Sequence, residues 1–497
     1  MALIDKEIDD AASDRTMDEP TPVAPNRRRI AANFVTLAGT SVLGLLITIV
    51  ISIYVRRALG PTPIGQVSWT LAALSYLALL VNPGLTTAGQ RDLARSPTNS
   101  QDLLCLILTL QTILAVVVYG LVLVIAALDL RGPEINLLLV IQGISLFVTA
   151  WNVGWVLQAH ERMVAPSIAS LVFNALQLPA LLLFIHQPSD VYLYAGLCLI
   201  APLLGVGFNF WYASRRGLLP RPLRPRLAGT RTLFHEAWPL ALSQGAVLIF
   251  FNSSTLILGV THGDEAVGQY ATAYRLMMVS TVVTAALWNA YFPVFARSRS
   301  SAEEARKLSR EYIGLLAWMG LPIAALGWAV GRHVVSLMYG PSFHEAGPLF
   351  EWLCLAIGFQ FLNYGISANF VPWGYGKLQF KIVAAGAVAN LALNAVAIPH
   401  LGAWGAIATT LATETLVLTL GLVARKKAAI FWHPMLPIVL PPLVSSAVVA
   451  LSIAALPASF DRYWWLELLA GGTVLAGCLW AFERKTLAML LTKLSRR

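Results

Sequence analysis

Residues 103–128 read LLCLILTLQTILAVVVYGLVLVIAAL, without a single charged side chain. A helix rises about 1.5 Å per residue, so about 20 apolar residues cross the ~30 Å hydrocarbon core of a bilayer. Lipid offers backbone groups no hydrogen-bonding partner, and an α-helix pairs these groups within one segment. The stretch therefore predicts a membrane-spanning helix.

Similar runs fill most of the chain. Of its 497 residues, 57% are hydrophobic and 12% are charged, whereas a soluble domain carries about 25% charged residues. We therefore predict an all-α integral membrane protein with about fourteen transmembrane helices. The predicted spans cover residues 31–54, 65–82, 103–128, 135–158, 164–186, 191–213, 238–260, 267–295, 311–331, 347–370, 380–398, 403–424, 435–456 and 464–482.

The basic residues orient these spans. If the N-terminus is cytoplasmic, 29 of the 35 lysines and arginines fall in inside segments, as the positive-inside rule requires. Five fall outside and one, Arg275, lies well within a span. Both termini are therefore predicted to be cytoplasmic. The net charge of +10 then faces anionic lipid head groups, and we expect no nucleic-acid partner.

Composition also divides the chain. Residues 1–29 are predicted to form a disordered cytoplasmic tail, and an arginine- and proline-rich segment interrupts the spans after the sixth. The remaining predicted parts are a six-helix bundle at 30–213, a basic cytoplasmic linker at 214–236, a second six-helix bundle at 237–424, and two accessory helices with a basic tail at 425–497.

The two predicted bundles repeat weakly in sequence. Gly65-Gln66-Val67 opens the second span of the first half, and Gly268-Gln269-Tyr270 opens the second span of the other half, 203 residues later. Each half has an even number of spans, so the repeats are parallel. Parallel duplication of this kind is typical of transporters, whose binding site lies between the halves.

Four stretches carry a resemblance to a known family. They are residues 57–61 with Gly65, residues 85–95, residues 267–276 with Phe292-Pro293, and a group formed by Asn390, Asn394, Pro399, residues 402–409 and Glu414. On these residues the chain resembles the polysaccharide-export flippases of the multidrug/oligosaccharidyl-lipid/polysaccharide (MOP) superfamily, the Wzx-like group. The likeness covers roughly residues 28–424.

This resemblance implies two six-helix bundles in a V that alternate between inward- and outward-open states. It implies a bacterial inner-membrane flippase that moves undecaprenyl-pyrophosphate-linked oligosaccharide units to the periplasmic leaflet for O-antigen, exopolysaccharide or capsule synthesis. The implied partners are the lipid-linked oligosaccharide, membrane lipids, and a polysaccharide polymerase with its chain-length machinery.

Arg275 is the candidate for binding the substrate pyrophosphate. A charge inside a span costs at least about 2.5–3.5 kcal/mol, so its side chain is expected to face a cavity, and the guanidinium fork suits phosphate. Asn289 lies fourteen residues further on, hence on the same helical face. The alternative is a structural pair between Arg275 and a membrane carboxylate such as Glu414.

Glu414 is the candidate for ion coupling, because it lies about 16 Å into the twelfth span. A membrane carboxylate can carry a proton or a sodium ion, although an interhelical hydrogen bond is the alternative. No other cofactor is expected. Arg91 and Arg95, on a short amphipathic segment, either attract pyrophosphate at the cytoplasmic face or extend to lipid head groups.

Further polar residues suggest a cavity wall. Asn33 and Thr40 lie at helical spacing in the first span, and Asn390 and Asn394 form an i, i+4 pair in the eleventh. Each pair either meets sugar hydroxyls or supports helix packing. The four cysteines stand alone in apolar runs, so no metal site is predicted.

Three alternative functions remain open. A drug or cation antiporter of the same superfamily is expected to have acidic residues in spans one to six, where this chain has none. A peptidoglycan-precursor flippase is expected to have several arginines in its first spans, which are also lacking. A membrane polymerase or ligase needs a large outer loop, whereas the longest here is about 332–346. We therefore predict no catalytic residues and no enzyme.

Overall fold

In the part of the chain that it describes, the computed structural model consists of helices and their connections, without strands. Within the first helix, side chains are described from Gly39 onward. The described part divides into two compact units, Pro20–Gly268 and Gln269–Arg497. The described residues are 27–95, 100–129, 131–220, 224–298, 301–427, 435–454, 469, 471–475 and 477.

Fourteen α-helices follow one another among these residues. The first nine are α1 Arg27–Leu59, α2 Pro61–Val81, α3 Leu85–Arg95, α4 Ser100–Ala127, α5 Pro133–Gly143, α6 Ser145–Ala150, α7 Gly154–Ala159, α8 Val164–Phe184 and α9 Val191–Arg215. The others are α10 Thr230–Ser298, α11 Ala302–Tyr339, α12 Ala346–Ser367, α13 Gly376–Lys427 and α14 Leu436–Ala454.

Two of these helices are each a pair of helices joined at a glycine. At its 69 residues, α10 would be about 100 Å long if it were continuous, which is three times the hydrocarbon thickness. Its backbone leaves the helical conformation at Gly263 (φ 83°, ψ −176°), and that of α13 does so at Gly402 (φ 58°, ψ −135°). We call the four parts α10a (230–262), α10b (264–298), α13a (376–401) and α13b (403–427).

The helices match the first thirteen predicted spans. Ten described helices and the run of short helices at Pro133–Ala159 are long and apolar enough to cross a membrane. The two glycine breaks raise the number of candidate crossing segments to thirteen. The all-α membrane fold is thus confirmed. The predicted fourteenth span, 464–482, lies almost entirely outside the described residues, so the count of fourteen stays a prediction.

The fourth span is less regular than its hydropathy suggests. Three short helices, α5, α6 and α7, cover it in place of one. The second interruption follows Trp151, where the side chain of Asn152 accepts a hydrogen bond from the backbone N–H of Gly154 at 2.9 Å. Asparagine competes for backbone hydrogen bonds in this way, which explains the break between α6 and α7.

The sequence repeat has a counterpart in the backbone. Gly60 precedes α2 at φ 79° and Gly263 precedes α10b at φ 83°, and their numbers differ by the same 203 that separates the repeated motifs. Such φ values favour glycine, which has no Cβ to clash. The chain thus turns in the same way before the second span of each half.

The repeated glutamines anchor equivalent loops, one in each unit. The side-chain amide of Gln66 donates to Glu134 Oε2 at 2.6 Å, at the start of the fourth span. In the second half, the amide of Gln269 donates to the backbone oxygen of Ser342 at 2.9 Å, and its oxygen accepts from the backbone N–H of Ala346 at 3.1 Å. Ala346 begins the tenth span. Both halves therefore use the second span to position the fourth.

The repeated glycines lie at a tight junction inside the first unit. A Cβ on Gly65 would fall 1.7 Å from the backbone oxygen of Asp264, and one on Gly268 would fall 1.9 Å from that of Pro61. Beside this contact, the guanidinium of Arg131 donates to Asp264 at 2.8 Å. The absence of side chains at both glycines lets α2 and α10b approach to backbone contact.

The boundary between the compact units falls in α10b, between Gly268 and Gln269. The predicted linker at 214–236 therefore lies within the first unit. It includes the end of α9 and the first turns of α10 as well as the connection between them. The predicted bundles, 30–213 and 237–424, follow the sequence repeat, whereas the compact units follow the contacts between residues. The division into bundles stays a prediction.

Candidate functional site

The second unit holds a buried carboxylate. Glu414, on α13b, is only 6% exposed, and the side-chain amide of Asn363 on α12 donates to its Oε2 at 2.6 Å. The same amide nitrogen lies 3.1 Å from the backbone oxygen of Glu414. No described residue donates a hydrogen bond to the other carboxylate oxygen.

Further polar groups lie on α10b and α12. Tyr274 on α10b and Tyr364 on α12 lie within electrostatic reach of its carboxylate. Tyr364 also lies beside Thr284, and the hydroxyl of Ser280 donates to Gln360 Oε1 at 3.1 Å. We call this group the polar cluster: Tyr274, Ser280, Thr284, Gln360, Asn363, Tyr364 and Glu414. It joins α10b, α12 and α13b within the second unit.

Arg275 is exposed on α10b, twelve residues beyond Gly263. It forms no hydrogen bond or ion pair with any residue that the structure describes. Asn289, also exposed, lies on the same helix about four turns away. It is Tyr274, the preceding residue, that lies near Glu414. The sequence left open a structural pair between Arg275 and Glu414, and this pair is not formed here.

Asn390 and Asn394, on α13a, lie where this helix packs on α13b. Both are buried, and the amide of Asn394 donates to Asn390 Oδ1 at 2.8 Å. The hydroxyl of Thr409 donates to Asn394 Oδ1, and the amide of Asn390 donates to Thr413 Oγ1 at 3.3 Å. Of the two interpretations that the sequence allowed, this geometry supports an interhelical bond between α13a and α13b.

The first unit places Arg91 among carboxylates. Arg91, on the amphipathic helix α3, donates to Asp92 Oδ1 at 2.8 Å and to Glu236. The hydrogen bond to Asp92 raises the pKa of Arg91 above its ordinary value. A pyrophosphate would therefore compete with two carboxylates for this arginine.

Three other predicted residues are less informative. The backbone of Arg95 ends α3 and that of Asn33 belongs to α1, but both side chains lie outside the described part. Thr40 is half-buried in α1. Their predicted roles in binding pyrophosphate or lining a cavity stay predictions.

The sequence interpretation missed a buried arginine. Arg425 is 2% exposed, and its guanidinium donates to the backbone oxygen of Ile366 at 3.0 Å and to Ser309 Oγ at 2.7 Å. It thereby ties α13b to α11 and α12. Arg425 precedes Lys426 and Lys427, so the charge pattern assigned all three to the cytoplasmic surface. No sequence signal separates the buried member of such a run.

Family models match two parts of the chain. The model described as "Polysaccharide biosynthesis protein" matches residues 30–299, which is more than half of the chain. The model described as "MatE" matches residues 239–396. The two matched ranges overlap between residues 239 and 299.

Two curated proteins are similar along most of their length. A "Putative O-antigen transporter" of Shigella dysenteriae is 24% identical over 383 residues, which cover 75% of this chain and 94% of the relative. A protein of the same name from Escherichia coli (strain K12) is 22% identical over 415 residues, covering 80% of this chain and 96% of the relative.

Solved structures share the fold. The lipid II flippase MurJ in an inward closed conformation superposes with a TM-score of 0.71, covers 92% of this chain and all of that one, and is 12% identical. A multidrug resistance MATE transporter of the MOP superfamily in an inward-facing conformation has a TM-score of 0.62, with 16% identity and 78% and 95% coverage. At these identities the likeness concerns the fold alone.

Proposed function

Since the chain belongs to the polysaccharide biosynthesis protein family, we propose that it is a flippase for undecaprenyl-pyrophosphate-linked oligosaccharide units. It moves them from the cytoplasmic to the periplasmic leaflet by alternating access, for the synthesis of O-antigen, exopolysaccharide or capsule. The O-antigen transporters among its relatives support this substrate class, and the MOP-type fold supports a transport mechanism.

The exposure of Arg275 within a predicted span is the observation that carries the proposal. An exposed arginine within a membrane span is costly unless it faces water or an anion, and this one has no partner among the described residues. A pyrophosphate supplies the bidentate oxygen acceptors that a guanidinium prefers. Asn289, on the same face, offers an amide to the sugar. Arg91 and Arg95 bind the pyrophosphate on entry, when Arg91 exchanges its carboxylate partners.

Glu414 supplies the coupling. Asn363 holds Oε2 of the carboxylate in place. The other carboxylate oxygen, which accepts no hydrogen bond from a described residue, takes a proton or a sodium ion. Hydroxyl and amide oxygens of the polar cluster are ligands that suit a hard cation. Because Arg275 and Glu414 are not paired, substrate binding and ion binding occur at separate groups that the helices connect.

The same fold hosts other cargoes, so the alternatives need specific support. The fold shared with MurJ favours lipid-linked cargo in general, and the MATE fold leaves a drug or cation antiporter possible. The O-antigen transporters are similar in sequence over 94% and 96% of their own length, and this favours the polysaccharide pathway. We place the protein in the bacterial inner membrane with cytoplasmic termini, where a polymerase and its chain-length machinery would use the product.

Replacing Arg275 tests the proposal. In a strain that lacks the chromosomal gene, Arg275→Ala is expected to abolish the surface polymer and to accumulate the lipid-linked oligosaccharide on the cytoplasmic leaflet. Arg275→Lys should restore part of the export, since lysine keeps the charge but loses the fork. Extracted lipid intermediates and surface polymer are measured by mass spectrometry and gel electrophoresis.

Arg310→Ala is the matched control, since Arg310 is an exposed arginine of α11 at the predicted cytoplasmic end. It should export normally at equal membrane abundance. Normal polymer from a stably inserted Arg275→Ala variant would contradict the role of Arg275. If the deletion strain accumulates the peptidoglycan precursor and not the oligosaccharide, the cargo is the peptidoglycan precursor and the proposed cargo is wrong.

A further inference from the structure

A cavity lies in the first unit, and neither Arg275 nor any residue of the polar cluster lines it. It has a volume of about 680 Å³ and an almost wholly apolar lining. Leu108 and Ile113 of α4 form one wall, Phe210 of α9 another, and Arg224 and Pro225 of the segment after α9 close one side. This volume is within the ~300–1,000 Å³ of small-molecule sites.

Two contacts hold the linker segment against α4. The backbone N–H of Arg226 donates to Thr109 Oγ1 at 3.2 Å, and its guanidinium pairs with Asp102 at 2.8 Å. Asp102 and Thr109 are two helical turns apart, about 10 Å. The linker therefore runs along the first turns of α4 and carries Arg224 to the edge of the cavity.

The hydroxyls in the wall are engaged within the protein. Thr109 donates to the backbone oxygen of Cys105 at 2.7 Å, and Thr112 donates to that of Leu108 at 2.7 Å while accepting from the indole of Trp151. Arg224, by contrast, is exposed and pairs with no residue in the described part of the chain. The cavity thus offers an apolar volume with one unpaired cation at its edge.

The position of the cavity indicates what fills it. Its α4 wall runs from Cys105 to Ile113, about 12 Å along the helix axis, which is close to one leaflet of a ~30 Å hydrocarbon core. Ile113 and Trp151 are exposed large apolar residues, so this end opens towards lipid. Arg224 lies at the end of α4 that the charge pattern places in the cytoplasm, where the leaflet is anionic.

We propose that the cavity binds one anionic phospholipid of the cytoplasmic leaflet. An acyl chain lies between α4 and α9, and the phosphate pairs with Arg224. A free phosphate would leave the apolar volume empty, and a zwitterionic lipid brings a cation of its own that competes with Arg224 for the phosphate. This site is independent of the proposed transport function, because none of its residues belongs to the candidate substrate or coupling groups.

Native mass spectrometry of the purified full-length protein tests the site, with phosphatidylglycerol and phosphatidylcholine of identical acyl chains as probes. The wild type should retain one phosphatidylglycerol more tightly than phosphatidylcholine. Arg224→Ala should weaken phosphatidylglycerol retention about tenfold, the scale of one hydrogen-bonded charge. Phe210→Trp, which fills part of the cavity and keeps the cation, should weaken retention of both lipids.

Arg216→Ala is the matched control, since Arg216 also lies in the linker region but stacks on Tyr212 at 5.3 Å. It should bind phosphatidylglycerol like the wild type. Equal retention of the two lipids, no retained phosphatidylglycerol, or an unaffected Arg224→Ala variant would overturn the proposal. Displacement of the lipid by glycerol phosphate at equal concentration would identify a soluble-anion site and also overturn it.

Discussion

Arg275 and Glu414 show, at the scale of single residues, how a membrane protein can separate two charges of opposite sign. Each lies twelve residues beyond a glycine break, Gly263 or Gly402, and so at a similar position along its helix. Tyr274 nevertheless occupies the side of α10b nearer Glu414. One helical position, about 100° of rotation, thus separates the exposed Arg275 from the side of α10b that is near Glu414.

This separation makes the coupling role of Glu414 testable by itself. Glu414→Gln keeps an acceptor for Asn363 but can neither take up a proton nor attract sodium by charge. We expect the variant to fold, with a stability change of about 1 kcal/mol or less, and to lose the dependence of transport on the pH or sodium gradient. Uptake of labelled lipid-linked oligosaccharide by proteoliposomes under imposed gradients measures this dependence.

The control for this variant is Glu345→Gln, because Glu345 is an exposed carboxylate of the same unit. It should keep the wild-type response to both gradients. If Glu414→Gln also responds to the gradients as the wild type does, Glu414 serves only to bond α12 to α13b.

The hydrogen bond between Arg425 and Ser309 is expected to stabilise the fold. Its guanidinium is buried and uses Ser309 Oγ as an acceptor at 2.7 Å, and Ser309 itself is fully buried. Ser309→Ala removes that acceptor, and a buried donor that loses its partner costs about 1–3 kcal/mol. We expect a lower melting temperature for the purified protein, measured by differential scanning fluorimetry in detergent.

Ser336→Ala provides the comparison for Ser309→Ala. Ser336 lies on the same helix, α11, but is exposed, and such substitutions usually change stability by less than ~0.5 kcal/mol. Equal melting temperatures for the two variants would mean that Arg425 obtains no net stabilisation from Ser309.

At the scale of helices, the junction of α2 with α10b depends on two glycines of the repeated motif. A methyl group on Gly65 would overlap the backbone oxygen of Asp264, and backbone atoms cannot rotate away as a side chain can. Gly65→Ala should therefore destabilise the protein by about 1–3 kcal/mol, the usual scale of overpacking, and Gly268→Ala should do the same. Thermal unfolding of each purified variant measures the effect.

Gly120→Ala is the matched control, because nothing lies within 4 Å of a Cβ at this position of α4. Alanine stabilises a helix interior by about 0.5–1 kcal/mol relative to glycine, so this variant should melt at or slightly above the wild-type temperature. Wild-type melting of both Gly65→Ala and Gly268→Ala would show that α2 and α10b separate at no measurable cost.

Helix positions were the most predictable feature from the sequence, because burial in lipid imposes a long apolar run on every span. The break in the fourth span could not be predicted, because a local hydrogen bond of Asn152 causes it and hydropathy does not report such a bond. Asn390 and Asn394 were recognised as a polar pair, but only the packing of α13a on α13b shows that they bond to Thr409 and Thr413. The sequence could likewise not indicate Asn363 as the partner of Glu414.

At the scale of the whole molecule, the repeat gives the two halves the same internal construction. Gly60 and Gly263 turn the chain before the second span, and Gln66 and Gln269 then anchor the loop before the fourth. The predicted resemblance to Wzx-like proteins of the MOP superfamily is confirmed by the family match and by the shared fold. Site residues were harder to predict, because a duplicated scaffold carries different side chains at equivalent positions.

The final prediction concerns the number of times the chain crosses the membrane. Thirteen candidate crossing segments are described, and residues 464–482 supply the fourteenth in the predicted topology. Each crossing changes the side of the membrane, so fourteen spans place the C-terminus on the N-terminal side and thirteen place it opposite. A reporter fused after Arg497 that is active only in the periplasm should therefore be silent, while a cytoplasmic fluorescent reporter there should be active. A fusion after residue 460, between the last two predicted spans, should give the reverse result in the same strain. A periplasmic signal from both fusions would remove the fourteenth span, and with it the cytoplasmic position of the basic C-terminal tail.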